Sequence, residues 1–270
     1  MGFKTILVHL GPDPDSGRRL AAAADFARRQ DARLVGLYVA LPMDLRGVAL
    51  GAPLTEAREA AEAAAAEVRA LFETRCEHEG LRREFHLEVG DPAEHLARHA
   101  RYCDTVVITQ DGPQGRLADF HSTLTEYLPF AVGTPVIVLP KARDTRIAAD
   151  HVLVSWKSSR EASAAVRASL PLLKEAKSVT VLTVSQPGDG YLHGSRIAAF
   201  LAEHGVAVDL QGVTAREHEV GQTILEEAKR RGAELVVLGV YGHNRLRSRI
   251  LGGVSKHVLE NAETPLLVAH

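Results

Sequence analysis

The segment from Gly239 to Ser255 carries the clearest chemical signal in the sequence. Its glycines are spaced Gly-x2-Gly-x9-Gly-Gly, at Gly239, Gly242, Gly252 and Gly253, and a Val-Ser pair follows. Glycines after a buried strand let the backbone approach a phosphate, and the free N–H groups at a helix start favour an anion. Ser255 can add a hydroxyl donor. The pattern favours a phosphate-binding loop; the alternative is that these glycines only form a turn and precede a helix.

Basic side chains lie within the same segment. Arg245, Arg247 and Arg249 alternate with other residues, and His243 follows Gly242. One arginine, of which Arg245 is the candidate, can clamp a phosphate through its forked donors. The alternative is a solvated loop, and His243 has the same two interpretations.

Other chemistries have weaker support. His95 and His99 are spaced i, i+4 on a predicted helix, but no third metal ligand is in view, so we expect two solvated histidines and no metal site. Ser158 and Ser159 lack a nearby His-Asp pairing that would mark a nucleophile. Trp156, at a predicted strand end, is expected to pack rather than to stack on a base. No catalytic residue is predicted.

Composition excludes several classes of protein. The chain has 270 residues, 46% hydrophobic and 24% charged, which is typical of globular proteins. With 32 Lys and Arg against 34 Asp and Glu, the net charge of −2 argues against a nucleic acid partner. No apolar run approaches the ~18–20 residues that cross a membrane. Two cysteines form no framework, so we expect a soluble cytoplasmic protein without a membrane partner.

The two halves of the chain repeat the same landmarks in the same order. Matching segments are Ile6-Leu7-Val8 with Val152-Leu153-Val154, Glu88-Val89-Gly90 with Glu219-Val220-Gly221, and Thr134–Val138 with Thr264–Val268. The spacing implies an insertion early in the first half, at Leu41–Pro53. A tandem duplication with its joint near Lys141–Asp150 follows, giving units 1–140 and 150–270.

Each half alternates apolar strands with helices. Strands are predicted at 5–10, 33–39, 84–89, 105–109 and 135–139, and at 151–156, 178–185, 207–213, 234–240 and 265–269. Helices are predicted at 16–30, 55–78, 92–102 and 118–130, and at 159–174, 194–204, 217–231 and 253–262. The second helix has Thr55 as cap candidate and ends near Gly80. Five strands with helical crossovers predict a doubly wound parallel α/β sheet in each half, with ligands at the carboxyl ends of the strands.

The sequence resembles the universal stress protein family. The glycine spacing followed by a hydroxyl residue, the two five-strand units, the Thr-Pro before each last strand and the final Leu266–His270 carry the resemblance over essentially the whole chain. It implies an adenine-nucleotide alpha-hydrolase-like fold with strand order 3-2-1-4-5 and helices on both faces. It also implies binding of ATP or AMP, with or without Mg²⁺, and dimers through the last strand.

Carried over residue by residue, Gly239, Gly242 and Gly252 match the glycines of the family motif. Gly253 stands where a serine or threonine is usual, which removes one hydroxyl donor to phosphate. Ser255 matches the second hydroxyl of the pattern and is retained.

The loop after the first strand of the second unit departs from the family. Ser155-Trp156-Lys157 has a lysine where the resemblance leads us to expect an acidic residue that contacts the nucleoside. Lysine cannot accept a hydrogen bond from a ribose hydroxyl, but it can pair with a phosphate. Val184, near the end of the second strand, matches the position that packs on adenine; ordinary strand core is the alternative.

The first unit departs further. Its equivalent loop, Thr109–Gly115, has no later glycine before the helix, and Asp13 and Asp15 are expected to shape a turn and cap a helix rather than bind a metal. We therefore expect one nucleotide site per chain, in the second unit.

The last strands of the two units, 134–139 and 264–269, are short and apolar. An exposed apolar edge invites pairing, so we expect these strands to pair within the chain as an internal pseudo-dimer. The resemblance adds dimers of tandem chains.

Three functions are open. The first is a regulatory protein of the stress response that switches on ATP or AMP occupancy. The second is a structural or interaction module with a vestigial site, and the third is a slow ATPase.

Overall fold

A computed structural model describes residues 2–40, 54–110, 124–186, 194–240 and 253–270. These residues form ten β-strands and eight α-helices in strict alternation apart from the junction of the two halves. No helix in the described ranges has both the length and the apolar character needed to span a bilayer.

The first unit contains five strands and four helices. They are β1 (Thr5–Leu10), α1 (Ser16–Arg29), β2 (Arg33–Ala40), α2 (Leu54–His78), β3 (Arg83–Val89), α3 (Pro92–Ala100), β4 (Thr105–Thr109), α4 (Leu124–Ala131) and β5 (Val136–Leu139). Most of these bounds lie within two residues of the prediction. Helix α2 begins at Leu54, so Thr55 lies inside the helix, and the predicted cap at Thr55 is wrong.

The second unit repeats this order. Its elements are β6 (His151–Ser155), α5 (Arg160–Glu175), β7 (Ser178–Ser185), α6 (Ser195–Glu203), β8 (Asp209–Thr214), a 3-10 turn (Glu217–Glu219), α7 (Val220–Arg230), β9 (Leu235–Gly239), α8 (Gly253–Asn261) and β10 (Leu266–Ala269).

All ten strands form one sheet. Its order is β3-β2-β1-β4-β5-β10-β9-β6-β7-β8, so each unit has the predicted order 3-2-1-4-5 with parallel neighbours. The units meet where β5 pairs with β10 antiparallel, with Ile137 opposite Leu267. The expected pairing of the two last strands is therefore confirmed. Because this one pair is antiparallel, the carboxyl ends of the two sets of strands lie at opposite edges of the sheet.

Helices cover both faces of this sheet. On one face, α1, α2, α5 and α6 pack on alternate strand residues such as Val107, Ile137 and Leu267. On the other face, α3, α4, α7 and α8 pack on the intervening residues, including Val106 and Val136. Strands buried on both faces need continuous apolar sequence, as in TILVHL of β1 and VIVL of β5.

The helix between the second and third strands differs in length between the two units. Helix α2 ends in a left-handed Gly80 (φ 65°), whose successor Leu81 donates to Cys76 O at 2.9 Å, so the predicted end near Gly80 is confirmed. Helix α2 has 25 residues, whereas α6 at the same place in the second unit has nine. The extra length of the first unit therefore lies between β2 and β3, and most of it belongs to α2. The predicted insertion, Leu41–Pro53, lies outside the described residues.

One sequence landmark of the repeat is not structurally equivalent. Glu88 and Val89 end β3, but Glu219 belongs to the 3-10 turn and Val220 begins α7. The true counterpart of β3 is β8, Asp209–Thr214, which pairs with β7 as β3 pairs with β2. Short identical tripeptides can match by chance, and here the match is wrong although the repeat is real.

The connection between the units packs tightly against the first unit. Ile147 is fully buried in the core, and its carbonyl accepts from Arg29 at 2.7 Å. Arg146 pairs with Asp25 at 2.9 Å. The linker therefore fixes the second unit to α1 as well as joining the chain.

This packing predicts that Ile147 is a stability determinant. Ile147→Ala should lower the free energy of unfolding by about 2–5 kcal/mol, and Ile147→Val by about 0.5–1.5 kcal/mol, because each leaves a cavity of different size. Urea unfolding followed by circular dichroism measures both. Lys141→Ala, at an exposed linker position, is the control and should change stability by about 0.5 kcal/mol or less. Equal effects of Ile147→Ala and the control would contradict burial of the linker.

Candidate functional site

The order of strands in the second unit predicts where a ligand can bind. Neighbouring strands β6 and β9 pair in parallel, with Ser155 opposite Leu238. The chain leaves β6 for α5 on one face of the sheet and leaves β9 for α8 on the other. Such a reversal opens a crevice at the carboxyl ends of the two strands.

Gly239 ends β9 at this crevice. A Cβ at this position would overlap the amide nitrogen of Ala162 and the carbonyl carbon of Glu161, in the first turn of α5. The glycine therefore allows strand and helix backbones to touch. This packing role was not anticipated from the glycine spacing, which suggested approach to a phosphate.

The predicted loop leads from Gly239 to α8. Gly242, Arg245 and Gly252 lie outside the described residues. Helix α8 begins at Gly253, which is exposed and where an added Cβ would meet nothing within 4 Å. Ser255, in the first turn, is 8% exposed. The first amides of a helix have no partner within the helix, so this end of α8 can bind an anion.

The loop after β6 supplies the second wall of the crevice. The amide of Trp156 donates to Leu182 O at 2.8 Å, which continues the β6–β7 ladder beyond Ser155. The indole is partly buried against the core under α5 and α6, in agreement with the expected packing role. Lys157 is exposed, and Ser159 Oγ caps α5 by accepting from Ala162 N at 3.2 Å.

Val184 lies near the carboxyl end of β7. It is partly buried and packs on the core under α7, on the face of the sheet opposite to Trp156. The structure thus brings Ser155 and Gly239 to adjacent strand ends, with Val184 on the next strand. It separates Trp156 from Val184 by the thickness of the sheet.

Glu161 is a site residue that the sequence analysis missed. It is 9% exposed and lies in the first turn of α5, beside Gly239. Burial raises the pKa of this carboxyl, but its own amide, the Ser159 hydroxyl and the nearby Arg160 together lower it below the usual value. A carboxylate in the first turn of a helix, after a serine cap, is the sequence signal that could have identified it.

In the first unit, the corresponding strand ends carry a polar network. Arg19, on α1, is 3% exposed and donates to His9 O at 2.5 Å, to Thr109 Oγ1 at 3.0 Å and to Asp13 Oδ2 at 2.8 Å. Burial raises the pKa of Asp13, but the Arg19 guanidinium outweighs burial and holds it below the usual value. Burial, together with the Arg19 charge, lowers the pKa of His9 to about 3.

The two aspartates of this loop behave partly as predicted. Asp13 shapes the turn, since its Oδ1 accepts from the amide of Asp15 at 3.1 Å. Asp15 stands at the cap position of α1 but makes no side-chain cap hydrogen bond. Its carboxylate accepts instead from the amide of Ala142 at 3.1 Å and from Arg18. The described residues contain no group of side chains that could hold a metal ion.

His95 and His99 are not the solvated pair that was expected. His95 is 8% exposed, and its Nδ1 lies 3.5 Å from Glu88 without a hydrogen bond. His99 Nε2 lies 3.2 Å from the other oxygen of Glu88, and its ring packs on His86 at 4.7 Å. The helical spacing does place both histidines on one face, but that face covers β3.

The two cysteines are free and buried. Burial raises the pKa of Cys76 to about 12 and that of Cys103 to about 11, so neither is a thiolate at neutral pH.

The His9 environment predicts acid sensitivity. The unfolded chain binds a proton at His9 below about pH 6.5, whereas the folded chain does so only near pH 3. The free energy of unfolding should therefore decrease as the pH is lowered from about 6.5 to about 3, by up to about 1.4 kcal/mol per pH unit from this residue. His9→Gln should flatten the slope in urea unfolding, and His78→Gln, at a side chain 79% exposed, should not. Equal slopes in wild type and His9→Gln would contradict a neutral His9.

Comparisons with known proteins agree with the fold. A universal stress protein from Archaeoglobus fulgidus DSM 4304 superimposes with a TM-score of 0.77 and 20% identity. The match covers 98% of this chain and 95% of that protein. A protein of unknown function from Pseudomonas aeruginosa PAO1 has 16% identity and a TM-score of 0.64, with 99% and 92% covered. A universal stress protein in complex with cAMP matches 52% of this chain and 98% of its own, at 16% identity and a TM-score of 0.39.

Sequence comparison gives the family. A search among curated proteins finds no match for this chain. The model of the universal stress protein family matches twice, at residues 2–128, which contain β1–β4, and at residues 141–270, which contain β6–β10. Since these matches cover nearly the whole sequence, the chain belongs to the universal stress protein family, as a tandem of two units.

Proposed function

We propose that the second unit, 150–270, binds one adenine nucleotide, ATP or AMP, and that occupancy regulates a stress response. The observation that carries this proposal is the placement of α8. Strand β9 ends at Gly239 and α8 begins at Gly253, so the glycine-spaced loop runs from a buried strand to the start of a helix. This is the context in which backbone amides bind phosphate.

Each residue of the crevice has its own role in this proposal. The Ser255 hydroxyl donates to a phosphate oxygen, and Gly242 and Gly252 let the loop backbone approach it. Lys157 and Arg245 neutralise phosphate charge, which suits ATP with or without Mg²⁺. Ser155 and Val184 border the nucleoside end, and Trp156 supports the loop after β6 by packing under α5.

No described residue stands out as a general base for hydrolysis, because Glu161 accepts hydrogen bonds from the start of α5. We therefore propose binding with little turnover. Phosphate release from ATP incubated with the protein tests this point. Release no faster than from ATP alone is expected, and faster release would favour the ATPase alternative.

The competing function is an interaction module with a vestigial site. Two observations favour it: Lys157 stands where an acceptor for the ribose is expected, and Gly253 removes a hydroxyl from the start of α8. Mass spectrometry of protein purified under native conditions separates the two functions. Adenine nucleotide recovered with the chain supports the first, and its absence together with no binding in solution supports the second.

Calorimetry with ATP should give one site per chain. Gly242→Val should abolish binding while the thermal midpoint stays unchanged, because a β-branched side chain intrudes where the backbone meets phosphate. Gly17→Ala, in the first unit, is the control: a Cβ there meets nothing within 4 Å. Two equivalent sites, or no site, would contradict the proposal.

Restoring the missing hydroxyl should tighten binding. Gly253→Ser adds a donor at an exposed position with room for a Cβ, so the fold should tolerate it. One added hydrogen bond to a charged phosphate is worth about 1.5 kcal/mol, which corresponds to roughly tenfold tighter binding of ATP. Gly253→Ala is the matched control, because it changes the backbone preference without adding a donor. Equal affinities of the two variants would show that this end of α8 does not contact phosphate.

A further inference from the structure

The first unit carries an ion pair where the second unit has its crevice. We call Arg19, Asp13 and Thr109 the Arg19 clamp. Asp13 belongs to the loop after β1, and Thr109 is the last residue of β4. These two segments form the walls of the first unit's crevice, by the same topology that places the crevice of the second unit.

The guanidinium of Arg19 joins the two walls. Its NH2 bonds Asp13 Oδ2 at 2.8 Å, and its NH1 bonds Thr109 Oγ1 at 3.0 Å. Its Nε bonds the carbonyl of His9, near the end of β1, at 2.5 Å. With all three nitrogens engaged and 3% of the residue exposed, the arginine is a built part of the fold. A buried guanidinium persists only where its charge and donors are satisfied.

The second unit lacks every member of this clamp. Strand register aligns β1 with β6 and β4 with β9, which makes Gly239 the counterpart of Thr109. Counting forward from β1 and β6, Ser159 is the counterpart of Asp13, and the fully buried Ala165 is the counterpart of Arg19. The aligned helices agree, since Leu20 and Val166, and Phe26 and Leu172, are buried pairs.

The two units therefore hold the first helix to the fourth strand differently. In the second unit the backbones touch, because Gly239 has no Cβ to keep α5 away. In the first unit Thr109 has a side chain, and Arg19 fills the space between helix and strand with hydrogen bonds. A neutral contact in one unit is replaced by a charged, directional contact in the other.

We propose that the Arg19 clamp locks the first crevice closed by tying the loop after β1 to the end of β4, and that the positions of Arg19 and Thr109 decide which unit accepts a ligand. The closing part of this proposal depends on the first unit alone. The ligand part rests on the proposed function of the second unit.

Hydrogen exchange measured by mass spectrometry on the full chain tests the lock. Arg19→Ala should speed exchange by at least about tenfold in segments 9–16 and 105–110, because opening of these walls no longer breaks the ion pair. Segments 155–162 and 235–240 of the second unit should be unchanged. Unchanged exchange in the first unit, or equal acceleration in both units, would overturn the proposal, since the arginine would then be dispensable or only support global stability.

Two further variants sharpen the test. Arg18→Ala removes a neighbouring arginine, 43% exposed, that pairs with Asp15 and Asp144, and it should leave segments 9–16 and 105–110 protected. Thr109→Val is nearly isosteric, so this variant should remain folded even if Arg19→Ala unfolds the chain. It cuts only the bond to β4, so exchange should rise in segment 105–110 more than in 9–16. No change in Thr109→Val would overturn the link between the walls.

Addition of ATP separates this inference from the proposed function. With ATP, the wild-type chain should gain protection in 155–162 and 235–240 and none in 9–16. Protection of 9–16 by ATP would overturn the lock, because the first crevice would be open. Protection of neither unit would overturn the proposed function, while the comparison without ATP still decides the lock.

Discussion

The antiparallel contact between β5 and β10 determines the arrangement of the whole molecule. Each strand is four residues long and fully buried, and each would be a bare apolar edge if its unit stood alone. Pairing satisfies the backbone groups of both strands and removes both exposed edges at once. The outer edges that remain, β3 and β8, carry polar residues such as Glu84, His86 and Asp209, which disfavour further pairing.

Because this pair is antiparallel, the carboxyl ends of the strands, and with them the two crevices, lie at opposite ends of the strands in the sheet. Helix α8 runs along the strands from one of these ends toward the other, with its first turn at the crevice of the second unit. Its other end is held by the first unit, because Gln110, directly after β4, donates to Ala262 O at 3.0 Å and accepts from Lys141 N at 3.1 Å. Arg143 adds an ion pair with Glu263 at 2.8 Å. The helix whose first amides are proposed to bind phosphate is therefore anchored to the opposite unit and to the linker.

Much of this architecture can be predicted from the sequence, since it follows from apolar periodicity. Continuous Val, Ile and Leu runs predicted ten strands close to their observed bounds. The short apolar sequences of the two last strands also predicted that these strands pair with each other. Contacts between residues distant in sequence could not be predicted in the same way. The spacing of His95 and His99 fixes a shared helix face, but only the packing of α3 on β3 brings that face to Glu88.

The candidate site shows the same limit. A glycine spacing indicates a phosphate loop, but the reason for Gly239 is the passage of α5 over the end of β9. Arg19 has no sequence signal at all, because an arginine on an amphipathic helix is normally solvated. Its burial depends on Thr109 and Asp13, which lie 90 residues and six residues away along the chain.

Two repeats of one fold can thus satisfy the same backbone geometry by opposite means. A crevice built for a ligand has donors at a helix start that only the ligand fully satisfies, so the ligand stabilises that unit by mass action. A repeat that does without a ligand must satisfy the groups at its strand ends internally, since buried polar groups without partners are costly. In this chain Arg19 does so for the His9 carbonyl, Asp13 and Thr109 together. If the second unit binds nucleotide as proposed, the stability of the first unit is independent of nucleotide. The first unit then supports the second through the β5–β10 pair and the end of α8.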